Sequence, residues 1–172
     1  MTDASDAGAA VADLRTERLL LRVWTAVEAA TVAEGGRLDD WAEDFPDAGD
    51  KVIAPLIAAE PAWLGPFGHR LIVERASGLV VGSLGLFWPP ADGAVELGYG
   101  VAPSRRGRGY APEAVLALTA HAFTSPAVEA VFAHVEPSNP ASVRVLEKAG
   151  FVPGGPGAEA GTVRYDAPPP GS

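Results

Sequence analysis

Cysteine is absent from the 172 residues, which removes disulfides and any thiolate nucleophile. The three histidines, His69, His121 and His134, lie far apart and lack metal-ligand spacing, so no metal is expected. Positive charge is scarce: 13 Lys and Arg stand against 22 Asp and Glu, a net charge of −9. A general nucleic-acid binder would present basic surface to phosphates, so nucleic acid is not an expected partner. A cationic partner remains compatible with this balance. No run of 18 apolar residues exists and no signal-peptide pattern begins the chain, so no membrane partner is expected and a cytoplasmic location is the default. What is present is a hydrophobic content of 48%, enough for one domain with a core. That domain is expected over 13–167, between flexible tails at 1–12 and 168–172.

The most informative stretch is Val101 to Ala111, Val-Ala-Pro-Ser-Arg-Arg-Gly-Arg-Gly-Tyr-Ala. A strand-like run, Ala94 to Val101, enters it, and a helix-like run, Tyr110 to Phe123, leaves it. The first N–H groups of a helix lack intrahelical partners, and the dipole there favours negative charge. Gly107 and Gly109 let the chain bend so that several N–H groups converge on one anion. Arg105, Arg106 and Arg108 add positive charge. Physically this is a pyrophosphate cradle. It is neither a Walker loop, which needs Gly-Lys-Ser/Thr, nor a dinucleotide fingerprint, since Pro112 stands where the third glycine would be.

The rest of the chain reads as strands at Glu17 to Trp24, His69 to Arg75, Leu79 to Phe87, Ala130 to Val135, Phe151 to Pro153 and Thr162 to Asp166. Thr25 and Glu28 form a capping-box pattern for a first helix. A second helix is expected from about Asp50 to Glu60. Asn139 followed by Pro140 opens a last helix that Gly150 closes. The strand–helix–strand unit across the cradle makes the strands at Ala94 and Ala130 parallel neighbours. The expected fold class is therefore α/β, with a mixed, mostly antiparallel sheet of about seven strands flanked by about four helices.

Arg106-x-x-Gly109-x-Ala111 resembles the acetyl-CoA signature of GNAT acetyltransferases. Glu96-Leu97-Gly98-Tyr99, Asn139-Pro140-Ala141-Ser142 and Glu147-Lys148-Ala149-Gly150-Phe151 are similar to the branch of ribosomal-protein N-terminal acetyltransferases (RimJ/RimL-like), and Thr16 to Arg22 resembles its first strand. The resemblance spans roughly Leu14 to Tyr165. It implies acetyl-CoA as acetyl donor, a GNAT-like fold, and a splay between the two parallel strands that admits the pantetheine arm. Cofactor contacts are then expected from Val101, Arg106, Gly107, Arg108, Gly109, Tyr110, Ala111 and Asn139.

Acetyl transfer to an amine needs a neutral amine, a stabilised oxyanion and a proton for the departing thiolate. A lysine-type amine, with a pKa of about 10.4, is mostly protonated at neutral pH, so a base is required. By period two, Glu96 shares a strand face with Gly98 and Gly100, opposite Val95, Leu97, Tyr99 and Val101. Two neighbours without side chains leave room for a ligand. The resemblance points to Glu96 as the base as well; the alternative is a solvent-facing strand glutamate. Many relatives place a tyrosine acid four residues before the Gly-Phe pair. Leu146 stands there, and the resemblance implies Ser142 as the acid instead. Asn139 and Ser142 are equally explained as a helix cap and a first-turn residue. The oxyanion donor is expected among backbone N–H groups from Gly98 to Val101.

In the resembled fold the region between the first two helices borders the acceptor pocket, which implies that place for the acidic, aromatic segment from Asp39 to Asp47; its carboxylates would attract cationic amines, and Asp39, Trp41 and Phe45 are expected to bind substrate. Its alternative is a solvated loop with buried aromatics. The function expected is acetyl-CoA-dependent N-acetyl transfer to a small-molecule amine or a peptide N-terminus, by a monomer or homodimer. Two rivals are a catalytically silent acyl-CoA-binding module and an interaction domain with an incidental Gly-Arg loop.

Overall fold

The computed structural model describes residues 11–170. The strands are β1 (Leu14–Arg15), β2 (Leu19–Val23), β3 (His69–Glu74), β4 (Leu79–Leu86), β5 (Ala94–Val101), β6 (Ala130–Val135), β7 (Val152–Pro156) and β8 (Val163–Asp166). The helices are α1 (Ala26–Ala33), α2 (Ala48–Ala59), α3 (Tyr110–Ala122) and α4 (Pro140–Lys148), with short 3-10 turns at Pro61–Leu64 and Pro103–Arg105. One eight-stranded sheet runs β1-β2-β3-β4-β5-β6-β8-β7. Every pairing is antiparallel except β5 with β6. The strand beyond the expected seven is β1, a two-residue edge piece ahead of β2. Of the expected tails, residues 1–10 and 171–172 lie outside the described residues.

Local chemistry sets the helix starts. The Glu28 N–H donates to Thr25 Oγ1 at 3.1 Å and the Thr25 N–H to the Glu28 carboxylate at 2.9 Å, a complete capping box at α1. Helix α2 begins two residues earlier than the expected Asp50, because the Asp47 N–H donates to the Asp50 carboxylate at 2.8 Å and fixes the first turn there. Helix α4 opens on Asn139, whose Oδ1 accepts from the Ser142 N–H at 3.3 Å. It closes at Gly150, where φ is +85° and the Phe151 N–H reaches back to the Leu146 carbonyl at 2.9 Å. Helix α3 buries Ala114, Val115, Leu118 and Ala122, an i, i+4 stripe, against the sheet. Arg70 is wholly buried and donates to the carbonyls of Ala12, Leu21 and Pro66, which ties the chain ahead of β1 to the core.

The feature that positions the site is a fork. β5 and β6 pair only at Ala94↔Ala130, Val95↔Val131 and Glu96↔Phe132. Beyond that rung β5 continues along β4 to Val101, while β6 continues along β8 to Val135. The β6-facing edge of Gly98 to Val101 is therefore unpaired by any strand, an opening through the sheet.

Candidate active site

A cavity of about 590 Å³ passes this opening. Its floor is Gly98 and Gly100 of β5; a Cβ on Gly98 would meet the Phe87 ring at 3.1 Å, while one on Gly100 would stand in open space. Register places Gly98 and Gly100 opposite Gly85 and Ser83, and Gly85 opposite His69, so these five share one face of the sheet. Helix α2 covers that face, and its Asp50 bonds the Ser83 hydroxyl. Tyr99 points the other way, and its hydroxyl lies 3.0 Å from Ser142 Oγ on α4. The cavity thus has two ends, on opposite faces of one sheet.

At the first end is the cradle. Gly107 and Gly109 adopt φ of +80° and +82°, and Gly109 is the N-cap of α3, so backbone N–H groups turn inward at a helix N-terminus. Both line the cavity with Val101, Arg106, Tyr110 and Ala111. Arg106 Nε donates to the Val101 carbonyl at 2.9 Å, closing the loop on itself, and its Nη2 meets Asp47 at 2.9 Å. Asn139 and Ser142 of α4 face the same space. So do Arg144 and Lys148, a cationic i, i+4 pair that the sequence reading passed over. Arg105 also lines the cavity. Arg105 is held by the buried Glu74 at 3.5 Å, so the open cleft, the N–H groups at the helix start, Arg106, Arg144 and Lys148 are what fit the diphosphate and pantetheine of a CoA thioester.

Arg108 is a correction. Its side chain does not line the cavity; it turns to the buried Glu74 carboxylate at 3.3 Å, which also accepts the Tyr110 hydroxyl at 2.7 Å. Glu74 is held below the usual carboxylate range by its hydrogen bond from Ser77, with further help from Tyr110 and Arg105. A buried anion beneath the loop therefore pulls Arg108 away from the cradle.

Glu96 shares the face of Gly98 and Gly100 and sits on the last paired rung before the fork. Its carboxylate meets His134 Nδ1 at 3.0 Å, and His134 Nε2 accepts the Ala158 N–H at 3.2 Å. That pattern places the His134 proton on Nδ1. Glu96 is not among the residues that line the cavity, whereas Gly98, two residues further on the same strand face, is.

The acidic segment is the clearest correction. Trp41 and Phe45 are buried at 3% and 0% exposure, packed edge to face at 5.3 Å, and cannot touch a substrate. Backbone bonds from Ala42 N–H to the Val80 carbonyl and from Val80 N–H to the Asp40 carbonyl dock the segment on β4, and Arg37 clamps four of its carbonyls. Asp39 is exposed and outside the cavity. The carboxylates that serve the site come later: Asp44 accepts from Ser104 at 2.6 and 2.8 Å, and Asp47 holds Arg106.

The second end, missed in the sequence, is built by Asp50, Ser83, His69 and Phe87. Asp50 is 4% exposed, and burial raises its pKa against the opposing hydrogen bonds from Ser83 and Asp47. The His69 ring packs tilted against Trp63 and edge to face against Phe87, with centroids 4.9 and 5.2 Å away. Burial lowers its pKa from 6.5 to about 4, so it is neutral at pH 7. A histidine depressed in the folded state stabilises above its unfolded pKa and loses that contribution as pH falls. Stability should therefore drop between pH 6.5 and 4 by up to about 3 kcal/mol, and His69→Gln should flatten that limb in chemical denaturation at stepped pH. Asp50 acts with the opposite sign. The only sequence signals for this end were the small residues Ser83 and Gly85 and the Asp-x-x-Asp spacing at 47 and 50.

The family model for the acetyltransferase (GNAT) domain matches residues 18–152. The chain belongs to the GNAT acetyltransferase family. It is 32% identical over 87 residues to the uncharacterized N-acetyltransferase YjdG of Bacillus subtilis (strain 168), an overlap of 50% of this chain and about half, 52%, of that relative. The solved acetyltransferase of Agrobacterium tumefaciens str. C58 superposes with a TM-score of 0.68 at 25% identity, covering 92% of this chain and 95% of that one. The fold is shared too by the ribosomal-protein alpha-N acetyltransferase RimL, solved in complex with coenzyme A, at a TM-score of 0.67 and 17% identity over 90% of this chain and 97% of that one. Both structures share the fold expected from the sequence. Among the described residues no group of three metal-ligating side chains comes together, and no helix is long and apolar enough to cross a membrane.

Proposed function

We propose that the protein transfers an acetyl group from acetyl-CoA to a primary amine, of a small molecule or a peptide N-terminus. The observation that carries this is the fork: a single cavity joins a cationic phosphate cradle on one side of the sheet to a carboxylate-bearing end on the other. Bound acetyl-CoA would supply the activated thioester. The inward N–H groups at Gly107 to Ala111 hold its diphosphate, with Arg106, and Asn139 faces the arm. Arg144 and Lys148 are placed to take a further phosphate.

The chain's own residues then divide the chemistry. Glu96 accepts the amine proton, kept in orientation by His134. The unpaired edge of Gly98 to Val101 offers backbone donors to the developing oxyanion. Ser142 holds a proton for the leaving thiolate, with Tyr99 hydrogen-bonded behind it at 3.0 Å. No covalent enzyme intermediate is needed when both substrates are held in line. Ser142→Ala should lower the maximal rate about tenfold or more while leaving the CoA dissociation constant within about twofold. Stopped-flow thiol release beside calorimetry separates the two, and an unchanged rate would assign the proton to water.

Incubation with acetyl-CoA and a panel of amines and peptides, read by mass spectrometry, tests the reading. One acetylated acceptor with matching thiol release supports it. CoA binding without release to any acceptor would instead make the protein a silent CoA-binding module.

A further inference from the structure

We propose that the α2 end of the cavity is an ammonium site, with Asp50 as its anchor, for a primary amine carried on a short apolar body. This rests on the acetyl-transfer reading and names where and how the acceptor binds. Asp50 is a carboxylate nearly closed off from bulk water yet lining the cavity. Ser83 occupies one of its oxygens and the Asp47 N–H the other. A carboxylate has about four lone-pair positions, so acceptor capacity is left for a ligand that donates. The hydrogen bonds also fix its rotamer, which lowers the ordering cost of binding.

The surroundings select the sign of the ligand. Of the cavity's cations, Arg144 and Lys148 stand on α4, which Tyr99 reaches from the other face of the sheet; Arg105 lies against Glu74, and only Arg106 reaches the start of α2, where Asp47 neutralises it. On the α2 face stand Asp50, Ser83 and a histidine that burial keeps neutral. Asp47, beside it, is already paired with Arg106. An anionic donor and a cationic acceptor are thus sorted to opposite ends of one cavity. Ile53, His69 and Phe87 supply the apolar and aromatic wall, and aromatic faces attract both alkyl groups and an ammonium. Asp50 also serves as a first-turn cap of α2, so a purely structural role is the competing account.

Binding to the CoA-saturated protein, without acetyl donor, separates the two. Benzylamine, benzyl alcohol and benzoate are the probes, read by ligand-observed NMR titration at pH 7. Benzylamine should bind the parent at least about tenfold more tightly than the alcohol, with benzoate weakest. Asp50→Asn keeps the cap geometry and should bring amine and alcohol within about twofold of each other, while CoA affinity stays unchanged. Asp39→Asn, outside the cavity, should retain the preference. Equal affinities in the parent, or a preference that survives in Asp50→Asn, would overturn the site. Where Asp50→Asn does not fold, Glu96→Gln decides: Glu96 is the other carboxylate on this face of the sheet, so the preference must survive its loss, and a preference that vanishes there would overturn Asp50 as the anchor. A parent that shows the preference but acetylates nothing would refute the transfer reading and leave the ammonium site standing.

Discussion

Replacing Glu96 by Gln should slow acetyl transfer by about 10² to 10⁴-fold near neutral pH, with CoA affinity barely changed. The glutamine Oε1 can still accept from His134 Nδ1, so the pair at 3.0 Å and the last rung of the fork survive. What is lost is a group that takes a proton. The deficit should therefore shrink as pH rises toward the amine's own pKa, where solvent supplies neutral amine. Parent and variant compared by thiol release from pH 6 to 10, roughly the span over which amines deprotonate, give the profile. Parallel profiles would remove Glu96 from proton transfer. The same variant should leave the Michaelis constant for the amine nearly unchanged, the reverse of the pattern expected from Asp50.

The other large effect belongs to the cradle. Gly109 sits at φ +82° as the N-cap of α3. A valine there is a β-branched residue in the left-handed region, strained by about 1–3 kcal/mol. The space around it offers little relief, since a Cβ would lie 3.3 Å from Arg18, whose guanidinium holds the Arg108 carbonyl at 2.7 Å and the Glu113 carboxylate at 2.7 Å. The loop must move, and its N–H groups cease to converge. Charge-assisted hydrogen bonds are worth about 1.5–3 kcal/mol each, so CoA affinity should fall by about 10²-fold or more in calorimetry. Arg106→Ala should cost less, because Arg106 divides its contacts between Val101 and Asp47. CoA binding equal to the parent in both variants would show that the cradle holds no phosphate.

Much of this was legible in the chain because its signals are local. The Thr25–Glu28 box, the Asn139-Pro140 start and the Gly150 stop each depend on a few neighbouring residues and appear as read. The Gly107–Gly109 turn at the start of α3 was legible for the same reason, and the strand–helix–strand order across it marked β5 and β6 as parallel neighbours. The α2 end of the cavity was not, because it is assembled by register. Ser83, His69 and Gly98 come together only when three strands align, and Asp50 reaches them from a helix whose start the sequence placed two residues late. Composition also misled at Asp39 to Asp47. A run of carboxylates around Trp41 and Phe45 looks like a mouth, but aromatic burial and Arg37 decide its place. Arg108 reads as a phosphate ligand until the buried Glu74, 34 residues earlier in sequence, claims it.

The central claim is that one cavity holds CoA and the acceptor amine on opposite faces of the sheet, meeting at the fork. A conjugate in which benzylamine is joined to the CoA sulfur through an ethylene bridge, so that its nitrogen stays a cationic amine, tests it without requiring turnover. Calorimetric titration should find the conjugate at least about tenfold tighter than CoA alone, since the second contact becomes intramolecular. Asp50→Asn should erase that gain and Gly109→Val the CoA share. A conjugate that binds no more tightly than CoA, or whose gain is indifferent to Asp50, would contradict the account.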